Sequence, residues 1–193
     1  MLFTRTFAMA GACLLSVALA APSVHRQAHQ MVKRDETSSI VGTLEGLTTV
    51  SRELDQLTQG VTEDNALAHG YSVADGIRSI TSRMNTANKI LNQENLLVLN
   101  TDHSKEVVSA LDAFTQAHTD LMNTMAEKHQ IRTLSPYYAD IGSDMQGLQT
   151  SFGNFEARLP ALLNEASQDQ AQTDLQAMDA AIANTATVYG QGY

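Results

Sequence analysis

Four histidines follow residue 34, and they are the first side chains to test for chemistry: His69, His103, His118 and His129. No two have the i, i+4 spacing of a His-Glu-x-x-His zinc site. His118 and His129 share a helix face, but the residues between them span about 16 Å of helix, whereas metal-ligating nitrogens must lie within a few ångströms of one ion. The sequence contains no Gly-rich phosphate loop and no Gly-x-Ser-x-Gly elbow. The one cysteine, Cys13, lies in the apolar N-terminal stretch. Carboxylates are spread over what would be solvent faces rather than paired along an apolar stripe. The pattern predicts no catalytic residue, no metal site and no cofactor, and the expectation is a protein that is not an enzyme.

What remains is apolar chemistry. Val107, Leu111, Phe114, His118, Leu121 and Met125 recur at 3–4 spacing, which marks one buried face of a helix. His118 is the odd member. One reading is a core histidine bonded to a neighbouring side chain or water. The other is a polar group at a ligand cavity, where it would meet a carboxylate head. Met84, Met122, Met125, Met145 and Met178 lie on or beside such stripes, with Phe114, Phe152 and Phe155. They read either as plain core or as an adaptable cavity, because flexible thioethers suit guests of variable shape such as acyl chains. The candidate cavity lining is Leu111, Phe114, His118, Met125, Met145, Leu148, Phe152 and Met178.

The elements that must position these residues are helices. The spacing predicts a first helix over about 37–59, capped by Thr37, Ser38 or Ser39 and ended by Gly60. A second runs over about 64–92 with the stripe Leu67, Tyr71, Ala74, Ile77, Met84 and Leu91. Asn92 to Asn100 reads as a loop whose Leu96–Leu99 cluster is pinned against the bundle end. A third helix covers about 102–130. The fourth starts with Ser135 as N-cap and Pro136 at its first position, carries Ile141, Met145, Leu148, Phe152, Phe155 and Leu159, and is stopped by Pro160. The last covers about 161–189, with a restart at Ser167 where Ser167 and Gln170 would form a capping box. The fold expected is all-α, an antiparallel bundle of about five amphipathic helices.

Residues 1–20 read as a secretory signal peptide: Arg5, then the uncharged run Phe7–Leu19, then small residues up to Ala20. Residues 21–34 read as a short pro-segment ending at the dibasic pair Lys33-Arg34, or else as a solvated tail that stays on. Residues 35–193 form a single helical-bundle domain, which carries 8 basic and 21 acidic residues and a formal charge of −13. Such acidity repels phosphate backbones, so nucleic acid is not an expected partner. It mainly serves solubility. The apolar run is too short for a comfortable membrane span, and no transmembrane segment is expected. With no cysteine after the signal, stability must come from packing. No Asn-x-Ser/Thr sequon occurs. The expected location is extracellular or in a cell wall.

The basic residue before a helix start (Arg34-Asp35), the cysteine-free helical body, the stretches Ser104–Leu121 and Asp140-Ile141-Gly142-Ser143-Asp144-Met145-Gln146-Gly147-Leu148, and the late Leu159-Pro160 resemble the fungal hydrophobic surface-binding protein A family, which includes cell-wall galactomannoproteins. The similarity covers about residues 35–190, and the chain is richer in Gln, Asn and Met than that family's pattern. The resemblance implies a secreted fungal protein that either adsorbs to hydrophobic surfaces and recruits a lipolytic enzyme, or holds a fatty acid or other lipid inside the bundle. A wall-structural or host-interacting protein without a lipid cavity is the alternative.

Overall fold

Apolar side chains at alternating 3 and 4 spacing give each segment one face that must leave water, and five such segments bury their faces together. The computed structural model describes residues 21–93 and 97–190, and of residues 21–36 the backbone course alone. It is all-α, with helices α1 (Ala21–Gln59), α2 (Ala66–Leu91), α3 (Thr101–Lys128), α4 (Tyr138–Glu156) and α5 (Glu165–Gly190). Short 3-10 turns, Arg132–Tyr137 and Pro160–Leu162, precede α4 and α5. No helix among the described residues is long and apolar enough to cross a membrane.

Consecutive helices reverse direction, as their short connections require. The close backbone pairings are α1 with α2, α2 with α4, α4 with α5, α5 with α3, and α3 with α1. These pairings close a ring. Side-chain contacts give its register. Ser51 meets His118 and Gln59 meets Lys128, so α1 and α3 run parallel. Met122 meets Thr185 and Met125 meets Tyr189, so α3 and α5 are also parallel. Leu67 meets Tyr137, Arg78 meets Asp144 and Asn88 meets Ser151, so α2 and α4 are parallel as well. Gly46 lies against Arg83 and Gly76 against Leu54, which sets α1 antiparallel to α2. The bundle therefore has two layers, α1-α3-α5 running one way and α2-α4 the other.

Several helix boundaries differ from the expected ones, for local reasons. The first helix begins at Ala21 rather than near 37, so Thr37, Ser38 and Ser39 lie inside it and cap nothing. The segment 21–34 has no glycine, and Pro22 falls in the first turn, where its missing N–H costs nothing. Ser135 and Pro136 lie in the 3-10 turn, and α4 starts at Tyr138 without a side-chain cap. Helix α5 starts at Glu165, so Ser167 is already within it. Gln170 donates to Asp174 instead of completing a capping box. In α2 the buried stripe is Ala66, Gly70, Val73, Ala74, Ile77, Ile80 and Met84, while Leu67 and Tyr71 are 60% and 61% exposed. The expected Ala74, Ile77, Met84 and Leu91 are buried, and only the first turns depart from the expected line, where Ala66 and Gly70 face inward and Gly70 is pressed against the Tyr137 ring.

At one end of the bundle, the connection before α3 is strapped to the one before α5. Leu99 N–H donates to Leu162 O at 2.8 Å, and Asn164 N–H donates to Ser104 Oγ at 3.0 Å. Leu99 is buried there and Leu97 and Val98 are exposed, while Leu96 lies outside the described residues. At the other end, the His129 ring stacks on Tyr138 at 4.5 Å and Tyr189 meets both rings edge-on. The Tyr189 hydroxyl donates to Met125 O at 2.9 Å, and burial raises its pKa. The Tyr138 hydroxyl donates to the carbonyls of His129 and Ile131.

Candidate functional site

The ring sets the size of the interior. With neighbouring axes about 8–10 Å apart, the centre of a regular five-membered ring lies roughly 8 Å from each axis, against roughly 6.5 Å in a four-helix bundle. Helix α3 makes its close backbone contacts with α1 and α5. It faces α2 and α4 across the middle, and the space between is filled by side chains alone.

Those side chains include all eight candidates. Leu111, Phe114, His118 and Met125 come from α3, Met145, Leu148 and Phe152 from α4, and Met178 from α5, and every one is completely buried. The seven apolar ones belong to one continuous apolar core with Leu44 and Leu47 of α1 and Ile77, Ile80 and Met84 of α2. The methionines Met84, Met122, Met125, Met145 and Met178 are all fully inside. Thioether chains rotate about three bonds at low cost, so this interior can rearrange around a guest more readily than one built of β-branched residues.

Among the clefts formed by the described residues, four can be placed on the helices, and none of these is lined by any of the eight. One, about 700 Å³, is an open groove on the outer side of α1 and α3, between Val41, Thr48 and Arg52 and Lys105, Ala110 and Ala113. Another, between Tyr138, Gly142 and Tyr189, opens between α4 and α5. The other two lie on the outer side of α1 and α2 and of α2 and α4. A guest in the interior would therefore enter by displacing core side chains.

His118 is the chemical exception in this interior. Its Nδ1 lies 3.1 Å from Ser51 Oγ of α1, and its ring tilts against Phe114 with centroids 5.3 Å apart. Its Nε2 is buried and has no hydrogen-bond partner. Burial alone pushes its pKa down to about 4, so the imidazole is neutral at physiological pH. Ser51, Ser104, His118 and Thr185 are the polar residues with no exposure at all. Ser104 bonds Leu99 O and Asn164 N–H, and Thr185 bonds Met122 O and Ala181 O. Of the four, His118 alone keeps an unsatisfied atom, a cost that a structural histidine normally avoids.

Ser51 is the site residue that sequence reasoning missed. The signal was present. Leu44, Leu47, Ser51, Leu54 and Thr58 repeat at 3, 4, 3, 4, which places Ser51 on the buried stripe of α1. A second buried polar group, Asp174 of α5, accepts from Gln170 Nε2 at 2.8 Å. Desolvation raises its carboxyl pKa, the Gln170 bond acts the other way, and Asp112 adds to the rise. Of the processing residues, Ala20 lies outside the described residues. Lys33 and Arg34 fall on the helical course of α1, where side chains are not described.

No protein-family profile matches the chain, and no curated protein matches it in sequence. The solved structures that match its fold include two that hold fatty acids. One is Afmp4p in complex with palmitic acid, with a TM-score of 0.71, 18% identity, and 79% of this chain and 99% of that chain covered. The other is ligand-binding domain 1 of the Penicillium marneffei MP1 protein complexed with arachidonic acids, with a TM-score of 0.70, 8% identity, and 79% and 98% covered. At these identities the likeness establishes a shared helical-bundle fold.

Proposed function

We propose that this chain is a secreted, non-enzymatic lipid carrier that holds a fatty acid or similar single-chain lipid between its two helix layers. The observation that carries the reading is the five-membered ring, whose interior is spanned by side chains and lined with buried methionines and phenylalanines. The fold likeness supports it, because both neighbours bind long-chain fatty acids in their solved structures. Affinity comes from apolar burial, at roughly 0.8 kcal/mol per methylene. The N-terminal signal pattern supports export, and the sequence resemblance supports distant kinship with the fungal surface-binding and galactomannoprotein group.

Purification without detergent, organic extraction and lipid mass analysis test the reading. The expected result is about one equivalent of fatty acid per chain, with uptake of added palmitic acid visible by native mass spectrometry. Only the bare protein mass after incubation with acyl chains, together with an empty extract, would refute it.

Adsorption to oily surfaces is a second reading, in which the layers part at an interface. Exposed Leu67 and Tyr71 at one end and Leu97 and Val98 at the other favour it. Salt-resistant depletion by alkyl-coated beads, without stoichiometric lipid, would select this reading.

A further inference from the structure

The interior imposes a charge rule on whatever enters it. We infer that His118 is the head-group partner of the bound lipid and that it selects heads able to share a single proton with its Nε2, which makes the ligand class long-chain monocarboxylic acids rather than lipids with permanently charged heads. This rests on the interior being the ligand site, as proposed above.

Asn88 Oδ1, Thr115 Oγ1 and Asp174 Oδ2 are also buried without a partner, but their residues keep some exposure, and the fully sealed place for a polar head is at His118. Nε2 of His118 is the unsatisfied atom among the entirely inaccessible polar residues, and Nδ1 is already engaged by Ser51 at 3.1 Å. If the Ser51 hydroxyl donates to Nδ1, Nε2 carries the hydrogen and offers a donor. In the opposite tautomer Nε2 offers a lone pair. A carboxyl group with one proton satisfies both arrangements, through its carbonyl oxygen in the first and its O–H in the second. A carboxylate facing an imidazolium contains the same single proton. In every form the buried pair is electrically neutral.

Nothing else at this level can balance a charge. On α1, Asp55 stands one turn beyond Ser51, half-buried, and accepts from Gln59. On α5, the register places Met178, Ile182 and Thr185 opposite His118, none of them ionisable. The α2 and α4 residues at this level are Ile77, Ile80, Ile141 and Met145, while Arg78 and Asp144 pair with each other toward the outside at 3.0 Å. The buried carboxyl, Asp174, lies level with Leu111, about 10 Å away along the helix axis. Burial is the whole cause of the low basicity of His118, with no charged neighbour contributing. An ionised head alone would sit unpaired in an apolar medium, which is strongly disfavoured. A head that takes up a proton from solvent avoids this.

The rule has a thermodynamic consequence. A free alkyl carboxyl ionises near the glutamate value of about 4.3, so above that pH each binding event draws one proton from the buffer. Affinity should fall about tenfold per pH unit between pH 6 and pH 8. A neutral head needs no proton, and a sulfonate cannot carry one.

Calorimetry on the full secreted chain, in buffers of different ionisation enthalpy, reads the proton count directly. The probes are dodecanoic acid, 1-dodecanol and dodecane-1-sulfonate. The expected uptake at pH 7.5 is close to one proton for the acid and none for the alcohol, with sulfonate affinity at least tenfold below that of the acid at pH 6. His118→Leu should lower the ratio of acid to methyl-dodecanoate affinity at least tenfold, because the ester has no proton to share. Ser51→Ala, which keeps the imidazole, should lower that ratio less. Acid binding without proton uptake, sulfonate binding as tight as acid, or an unchanged ratio in His118→Leu would each overturn the inference while leaving the carrier reading standing. Failure of both acid and alcohol to bind would overturn the carrier reading as well.

Discussion

Replacing His118 with leucine should remove much of the protein's acid sensitivity. In the folded state burial holds the His118 pKa down to about 4, against an ordinary value of 6.5. The unfolded chain takes up this proton below pH 6.5 and the folded chain resists it. The stability owed to the neutral ring is therefore fully present above pH 6.5 and is lost as pH falls toward 4. The full gap is worth about 3 kcal/mol, and most of it is gone by pH 4.5. Urea unfolding of wild type and His118→Leu at pH 7.5 and pH 4.5 isolates the effect, because carboxylate contributions are common to both chains. The difference in unfolding free energy between the two should change by about 2–3 kcal/mol across that interval. At pH 7.5 the variant should be at least as stable as wild type. It loses a hydrogen bond worth about 1 kcal/mol and sheds an unsatisfied nitrogen costing about 1–3 kcal/mol. Ser51 can then turn to its own helix, as Thr48 and Thr58 do toward Leu44 O and Leu54 O. Equal acid sensitivity in both proteins would refute the reasoning, since it would mean that the imidazole is hydrated rather than sealed.

Other perturbations give equally definite signs. Gly70→Ala drives a Cβ into the Tyr137 ring. It should destabilise by about 1–3 kcal/mol despite its better helix propensity, and become mildly stabilising in a Tyr137→Ala background, as a thermal-melt double-mutant cycle would show. Gly147→Ala meets nothing within 4 Å and should stabilise by about 0.5–1 kcal/mol in the same melts. Asp174→Asn should raise the urea midpoint at pH 7.5, where the buried carboxylate is penalised. The gain should vanish in acid, because a raised carboxyl pKa means the penalty is relieved as pH falls. Phe152→Ala should cost about 3–5 kcal/mol without ligand, with part of the loss recovered when dodecanoic acid is added.

The helices were legible because burial writes its own period. The 4, 3, 4, 3, 4 spacing from Val107 to Met125 places α3 and its inward face, and Gly60 ends α1 where the pattern stops. His118 stood out for the same reason, as a polar residue on an apolar line. Four things were not legible. The start of α1 was hidden because residues 21–34 carry no stripe, and a helix without an amphipathic face leaves only weak propensity to read. Leu67 and Tyr71 were misplaced because choosing between two adjacent stripes on α2 depends on a partner, Tyr137, 70 residues away. Ser51 was passed over because small hydroxyl residues occur on both faces of helices. Its role appears only once the register brings His118 beside it. The ring order of the helices cannot be read from periodicity, which says that a face is buried and not against what.

The one-way layer has an electrical consequence. Three helices point their carbonyl ends toward the Tyr138–Tyr189 end of the bundle and two point the opposite way, so peptide dipoles do not cancel across the molecule. One helix's worth of macrodipole is left over, roughly half an elementary charge at each end. In a chain so short of cations, Lys128 stands at the carbonyl-rich end, and its ammonium donates to Gln59 O and Val61 O, both at 2.8 Å. At the opposite end Asp102 and Glu165 occupy the first turns of α3 and α5, where amide hydrogens face outward. The bundle is thus polarised along its long axis, the same axis an acyl chain would follow, and its few well-placed charges sit at the two poles of that field.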